Sequence, residues 1–254
     1  MKKILIAMAS IMVMSILFTG CVVVNAGPVT TRTFDYLGFE SVDIGSAFQA
    51  EVVQSNEWRI EITAPDSLFD HLVVAVDGHT LKIGLRNNNS WNYRRPKARI
   101  TMPELYTLKI SGASIGSATG FASNHDTDVY VSGASKLDLD LGAYDTRMLV
   151  SGASHVTGHL DVHDFRLEIN GASKVNLSGS GNTLDIQASG ASRVDMQNFN
   201  ITDVSAGVSG ASRVTISPSG KMSVSLSGAS SLYYTGNPQL ESIEVSGSST
   251  IRKK

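Results

Sequence analysis

From residue 106 onward the chain alternates apolar and polar residues in short runs that share one phase. Each run is anchored on the tetrapeptide Ser-Gly-Ala-Ser, which begins at Ser111, Ser132, Ser151, Ser189, Ser209 and Ser227. Asn170-Gly171-Ala172-Ser173 and Ser246-Gly247-Ser248-Ser249 complete a series whose spacing stays between 18 and 21 residues. One residue before each motif stand Ile110, Val131, Val150, Ile169, Ala188, Val208, Leu226 and Val245. Three before stand Leu108, Val129, Met148, Leu167, Ile186, Ala206, Val224 and Ile243. The position between them is mostly polar: Lys109, Tyr130, Leu149, Glu168, Gln187, Gly207, Ser225 and Glu244. After the motif the alternation resumes, with Leu137, Val156, Val175, Val194, Val214, Leu232 and Ile251 two residues on. A period of two marks a strand with one buried face.

Each repeat therefore reads as strand, corner, strand and return. Glycine permits a sharp bend because it reaches positive φ without a Cβ clash. Serine hydroxyls can satisfy backbone groups at such a turn. The alanine is small enough to point into a crowded corner. Near-equal repeats of ~19 residues predict an all-β fold, a parallel β-helix or solenoid over residues 106–254. Equivalent strands then stack ~4.8 Å apart and merge their apolar columns into one core. An antiparallel sandwich also has regular short strands, but it does not require one corner motif at one phase.

Residues 35–105 lack the motif and read as a less regular β region, either irregular first coils or a cap. Ser41-Val42-Asp43-Ile44 and Trp58-Arg59-Ile60-Glu61-Ile62 alternate, and residues 72–83 resemble a hairpin or tight corner around Asp77-Gly78. Residues 66–71 suit a single helical turn. Residues 86–97, with Asn87-Asn88-Asn89 and Pro96, read as an exposed loop.

The beginning of the chain has a different character. Lys2 and Lys3 precede an uncharged apolar stretch over residues 4–18, the layout of a secretion signal. The stretch is short for a membrane span, which needs ~20 residues. Phe18-Thr19-Gly20-Cys21 resembles a bacterial lipobox, with Phe18 in place of the usual leucine. That resemblance implies a lipoprotein signal over residues 1–20, a diacylglyceryl group on Cys21 and a tether over residues 21–34. Acyl chains anchor firmly at ~0.8 kcal/mol per buried CH₂. The alternative is an ordinary signal cut after Val24-Asn25-Ala26, releasing a soluble form. Cys21 is the only cysteine in 254 residues, at the one place where lipidation needs it. Val22 follows it where an aspartate often retains Gram-negative lipoproteins in the inner membrane, so the outer membrane is the expected destination.

The lipobox-like start, the irregular β region, the lead-in Pro103-Glu104-Leu105-Tyr106-Thr107-Leu108 and the serial Ser-Gly-Ala-Ser motifs together resemble the bacterial family called putative auto-transporter adhesin, head GIN domain. The resemblance spans roughly residues 35–250. It implies a right-handed β-helix at the cell envelope and carries over no catalytic or ligand residues.

Composition narrows the function further. The formal net charge of −2 gives no overall field favouring nucleic acid. One cysteine rules out an internal disulfide. The residue just after each motif is basic in five successive repeats: Lys136, His155, Lys174, Arg193 and Arg213. It should face outward, so stacking would align a basic row ~20 Å long, suited to phosphates or uronates of a glycan or lipid headgroup. Solvent-facing bases that deter aggregation are the plainer explanation, and Asp138 and Asp195 lie close enough to neutralise part of the row. His155, His159 and His163 recur every fourth residue near Asp161 and Asp164, but strands and return turns need not bring them together, so no metal is expected. Asp126, Asp128, Asp138, Asp140, Asp145, Asp161, Asp164 and Asp185 are scattered, and no nucleophile–base pair, phosphate loop or cofactor motif is legible. The sequence is read as a non-catalytic envelope binding module for glycan or another envelope component. The alternatives are an assembly protein that oligomerises through the solenoid and, third, a polysaccharide-degrading enzyme.

Overall fold

The structure is a computed structural model. It describes residues 27–86 and 95–254. The signal, Cys21 and the centre of the expected 86–97 loop lie outside the described residues. Residues Val29–Phe34, in the stretch expected to be tether, form a β-strand.

The described strands join in one continuous sheet that winds as a parallel solenoid of about eight turns. One coil shows the plan. Strand Asp145–Val150 leads to the corner at residues 151–154, then to strand His155–Asp161. A two-residue return leads to Asp164–Ile169, in parallel register with Asp145–Val150. Equal coil length makes side chains stack on their equivalents. Leu108, Val129, Met148, Leu167, Ile186, Ala206, Val224 and Ile243 form one such ladder. All are buried except Ile243, in the last coil. Beyond the corner, Leu137, Val156, Val175, Val194, Val214, Leu232 and Ile251 form the facing ladder.

The corners stack too. Ala153 N donates to Gly133 O at 2.8 Å, Ala172 N to Gly152 O at 2.8 Å, and the pattern continues to Ser248 and Gly228. Gly152 has φ +76, and a Cβ on it would lie 2.3 Å from Gly133 O. Glycine is thus required both for its φ and for the close stacking of backbone on backbone.

One expectation is corrected at this corner. The last serine of the motif, rather than the alanine, faces inward. Ser114, Ser135, Ser154, Ser173, Ser192, Ser212 and Ser230 are all buried, whereas Ala134, Ala153 and Ala172 are exposed. The reason is that alternation runs through the corner: Ser135 lies two residues before inward Leu137. Ser135 Oγ donates to Ser132 O at 2.8 Å and Ser230 Oγ to Val208 O at 3.1 Å. The first coil breaks the facing ladder at Gly116, because Ile110 and Leu137 already fill its side-chain space.

The described strands between residues 28 and 105 belong to the same sheet. Ser41–Ile44 and Gln49–Gln54 form a coil in parallel register with the first motif-bearing coil. Its corner is Gly45-Ser46-Ala47-Phe48, with positive φ at Ser46 and Ala47. Thr80–Leu85 and Lys97–Met102 lie one rung further out. Antiparallel strands then stop the stack. Leu72–Asp77 pairs with Thr80–Leu85, Arg59–Pro65 with Lys97–Met102, and Val29–Phe34 with Arg59–Pro65. A one-turn helix, Asp66–Phe69, buries Leu68 and Phe69 in this cap. The cap closes one end of the core, as a solenoid requires. At the other end Leu240, Ile243 and Val245 are 50%, 38% and 47% exposed.

Candidate functional site

Lys136, His155, Lys174, Arg193 and Arg213 occupy consecutive rungs of the strand that follows the corner. Flanking inward residues such as Leu137 and Val156 force them outward. Lys136, Lys174, Arg193 and Arg213 are exposed and His155 is half-buried. At ~4.8 Å per rung the row is ~19 Å long. It is bounded by Ile115 below and Ser231 above. The fold therefore brings all five together in one line.

In its electrostatics the row differs from several other surface bases. Arg147 and Arg166 both reach Glu168, and Lys221 reaches Glu241 at 2.7 Å. None of the five bases in the row makes an ion pair among the described residues. The nearby acids turn elsewhere: Asp138 Oδ1 accepts from Thr157 Oγ1 at 3.0 Å, and Asp195 Oδ1 accepts from Gln197 N at 3.4 Å. Stacking like charges in register is unfavourable without a counterion or ligand. At its upper end the row meets Tyr233, whose ring is flanked by Arg213 at 5.8 Å and Lys254 at 5.4 Å. Arg252 lies in register with Tyr233. Sequence reasoning missed this extension, because Tyr233 and Arg252 meet only through the register of the final coils.

The three histidines at four-residue spacing part company. His155 stays in the basic row. His159 Nε2 lies 2.9 Å from Asp161 Oδ2, and Ser180 Oγ donates to Asp161 Oδ1 at 2.7 Å. These contacts hold the Asp161 carboxyl below its ordinary range, the Ser180 hydrogen bond contributing most. His163 sits on the opposite turn, stacked on Tyr144 with ring centroids 5.2 Å apart. Two rungs below that pair, His125 stacks on Tyr106 at 3.8 Å. The two Tyr–His pairs share one edge of the solenoid. They were not visible in the sequence, where the tyrosines looked dispersed.

The acids are less scattered than the sequence suggested. Asp145 and Asp164 are register partners. Asp164 N donates to Asp145 Oδ1 at 3.0 Å, and Thr183 Oγ1 donates to Asp164 Oδ1 at 2.6 Å.

Fold and surface together define a capped, parallel β-solenoid repeat protein with a row of basic side chains that make no ion pair among the described residues. The chain belongs to the family described as putative auto-transporter adhesin, head GIN domain, whose model matches residues 38–238. No curated protein matches the sequence. The fold is similar to the crystal structure of a putative adhesin from Parabacteroides distasonis, at 15% identity and a TM-score of 0.83, covering 90% of this chain and 98% of that one. A putative adhesin from Parabacteroides merdae matches at 17% identity and 0.83, covering 90% and 97%. A protein described as a putative lipid binding protein from Parabacteroides distasonis matches at 18% identity and 0.82, with the same coverage. Family membership suggests a non-enzymatic envelope or surface protein. No helix among the described residues is long and apolar enough to cross a membrane.

Proposed function

We propose that this protein is a non-catalytic binding module of the bacterial envelope that holds an anionic glycan along the face after the corner. The supporting observation is the in-register row Lys136, His155, Lys174, Arg193 and Arg213, free of ion pairs among the described residues. A linear polyanion lying parallel to the solenoid axis meets one basic side chain per rung. Attraction at an exposed surface is screened within ~8–10 Å at physiological salt, so binding must weaken steeply as salt rises. The test is calorimetric titration with a polyuronate, and with a neutral glucan as control. K174E combined with R193E should abolish polyuronate binding, and unchanged affinity rejects the proposal. Cys21 supplies the lipid anchor in this reading, supported by the placement of the sole cysteine at a lipobox, with the outer membrane as destination. Mass spectrometry of the mature N-terminus tests it: a diacylated Cys21 is expected, and a chain starting at Gly27 refutes it.

A second reading has its own observation. Leu240, Ile243 and Val245 continue the buried ladders into open solvent at the last coil. Such an edge favours assembly between copies, which native mass measurement over a concentration series detects as a dimer.

A further inference from the structure

We infer that Asp145, His163 and Asp164 form a site for a divalent transition metal of the zinc class. It lies at the return turn between two coils, across the solenoid from the basic row. His163 Nδ1 lies 3.6 Å from Asp145 Oδ1 and 3.4 Å from Asp164 Oδ1. Those separations are too long for good hydrogen bonds. They match the edge of a tetrahedron with bonds of about 2.1 Å, which is about 3.4 Å, the geometry zinc adopts with imidazole and carboxylate donors. All three donor atoms lie within 4.8 Å of one another. Magnesium, with octahedral bonds of about 2.1 Å, needs shorter edges, and calcium takes six to eight oxygens rather than an imidazole nitrogen.

The surroundings hold these donors in place. Asp145 is fixed by the Asp164 amide and Asp164 by the Thr183 hydroxyl, the kind of outer contact that orients metal ligands. The His163 ring is held by its stack on Tyr144, with ring planes 6° apart. Two carboxylates in register repel each other, yet neither has a Lys or Arg partner within ion-pair distance among the described residues, since neighbouring Arg147 and Arg166 go to Glu168. The two carboxylates also line a shallow groove with Asp126 and Thr183. A metal held by three protein donors keeps a fourth position open, and here it would face solvent or an oxygen ligand in that groove.

The test uses the purified full chain, stripped with chelator. Calorimetry with Zn²⁺ should show one equivalent bound, and Co²⁺ should develop the intense visible bands of a tetrahedral site. H163A and D145N should each weaken Zn²⁺ at least about tenfold, while H159A, which removes the nearby His159–Asp161 pair, should leave it unchanged. Circular dichroism confirms that each variant is folded, as expected for partly exposed side chains. The inference is overturned by the absence of saturable binding up to millimolar Zn²⁺, by binding indifferent to H163A, or by binding that H159A removes instead. These readouts do not involve glycan, so they stand or fall separately from the basic row.

Discussion

Gly152 sits so close above Gly133 that a methyl group on it would lie 2.3 Å from the Gly133 carbonyl oxygen. The same contact recurs at Gly171 over Gly152, also at 2.3 Å. The repeated glycine thus reports a packing limit between coils as well as a bend within one.

G152A should therefore destabilise the protein by about 2–5 kcal/mol, combining a left-handed backbone cost of about 1–2 kcal/mol with overpacking of about 1–3 kcal/mol. A153S, at the exposed neighbour, should stay within about 0.5 kcal/mol. Denaturant midpoints distinguish the two; equal effects would contradict the stacked corner.

The inward serines should divide by hydrogen bonding. Ser135 Oγ is paired with Ser132 O, while the buried Ser154 hydroxyl has no partner among the described residues. S135A should cost about 1 kcal/mol, and S154A should be neutral or stabilising. Equilibrium unfolding of both variants checks the contrast, and its reversal would show the hydroxyls assigned wrongly.

Ile186 and Ile243 share a ladder but differ in cover. Ile186 is fully buried and Ile243 is 38% exposed. I186A should lose about 2–5 kcal/mol, and I243A clearly less, as measured by thermal and urea melts. Comparable losses would mean that the last coil is covered in solution, which supports assembly through that end.

Asp161 gives a pH signature. Its carboxyl is held below the ordinary value of about 3.9 by the Ser180 hydroxyl first and His159 second. The stabilisation is present above the unfolded value and is lost as pH falls through the depressed one. S180A should move the Asp161 titration upward in NMR and lower the melting temperature at neutral pH, with the difference vanishing in strong acid. An unmoved titration would remove Ser180 as the cause.

The columns Leu108 to Val224 and Leu137 to Leu232 were legible because equal spacing converts phase into stacking. The row from Lys136 to Arg213 followed by the same logic. The coil formed by residues 41–54 was not legible as one, since Gly45-Ser46-Ala47-Phe48 turns the chain without the motif. The rung formed by Thr80–Leu85 and Lys97–Met102 was hidden for another reason: it lies beneath a coil that precedes it in the chain. The inward place of the last corner serine is not legible from residue size, which favours alanine; it follows from alternation that runs unbroken through the bend to Leu137. The meeting of Asp145 with His163 and Asp164 needed the register itself, as did the Tyr144–His163 stack.

The one-base-per-rung arrangement makes the protein a ruler. Adding or deleting a single 19-residue unit in the middle of the chain leaves the plugged end, the interior ladders and the open end as they are, and changes the count of aligned cations by one. On the proposed reading, grip on a long polyanion is then graded in discrete steps by repeat number.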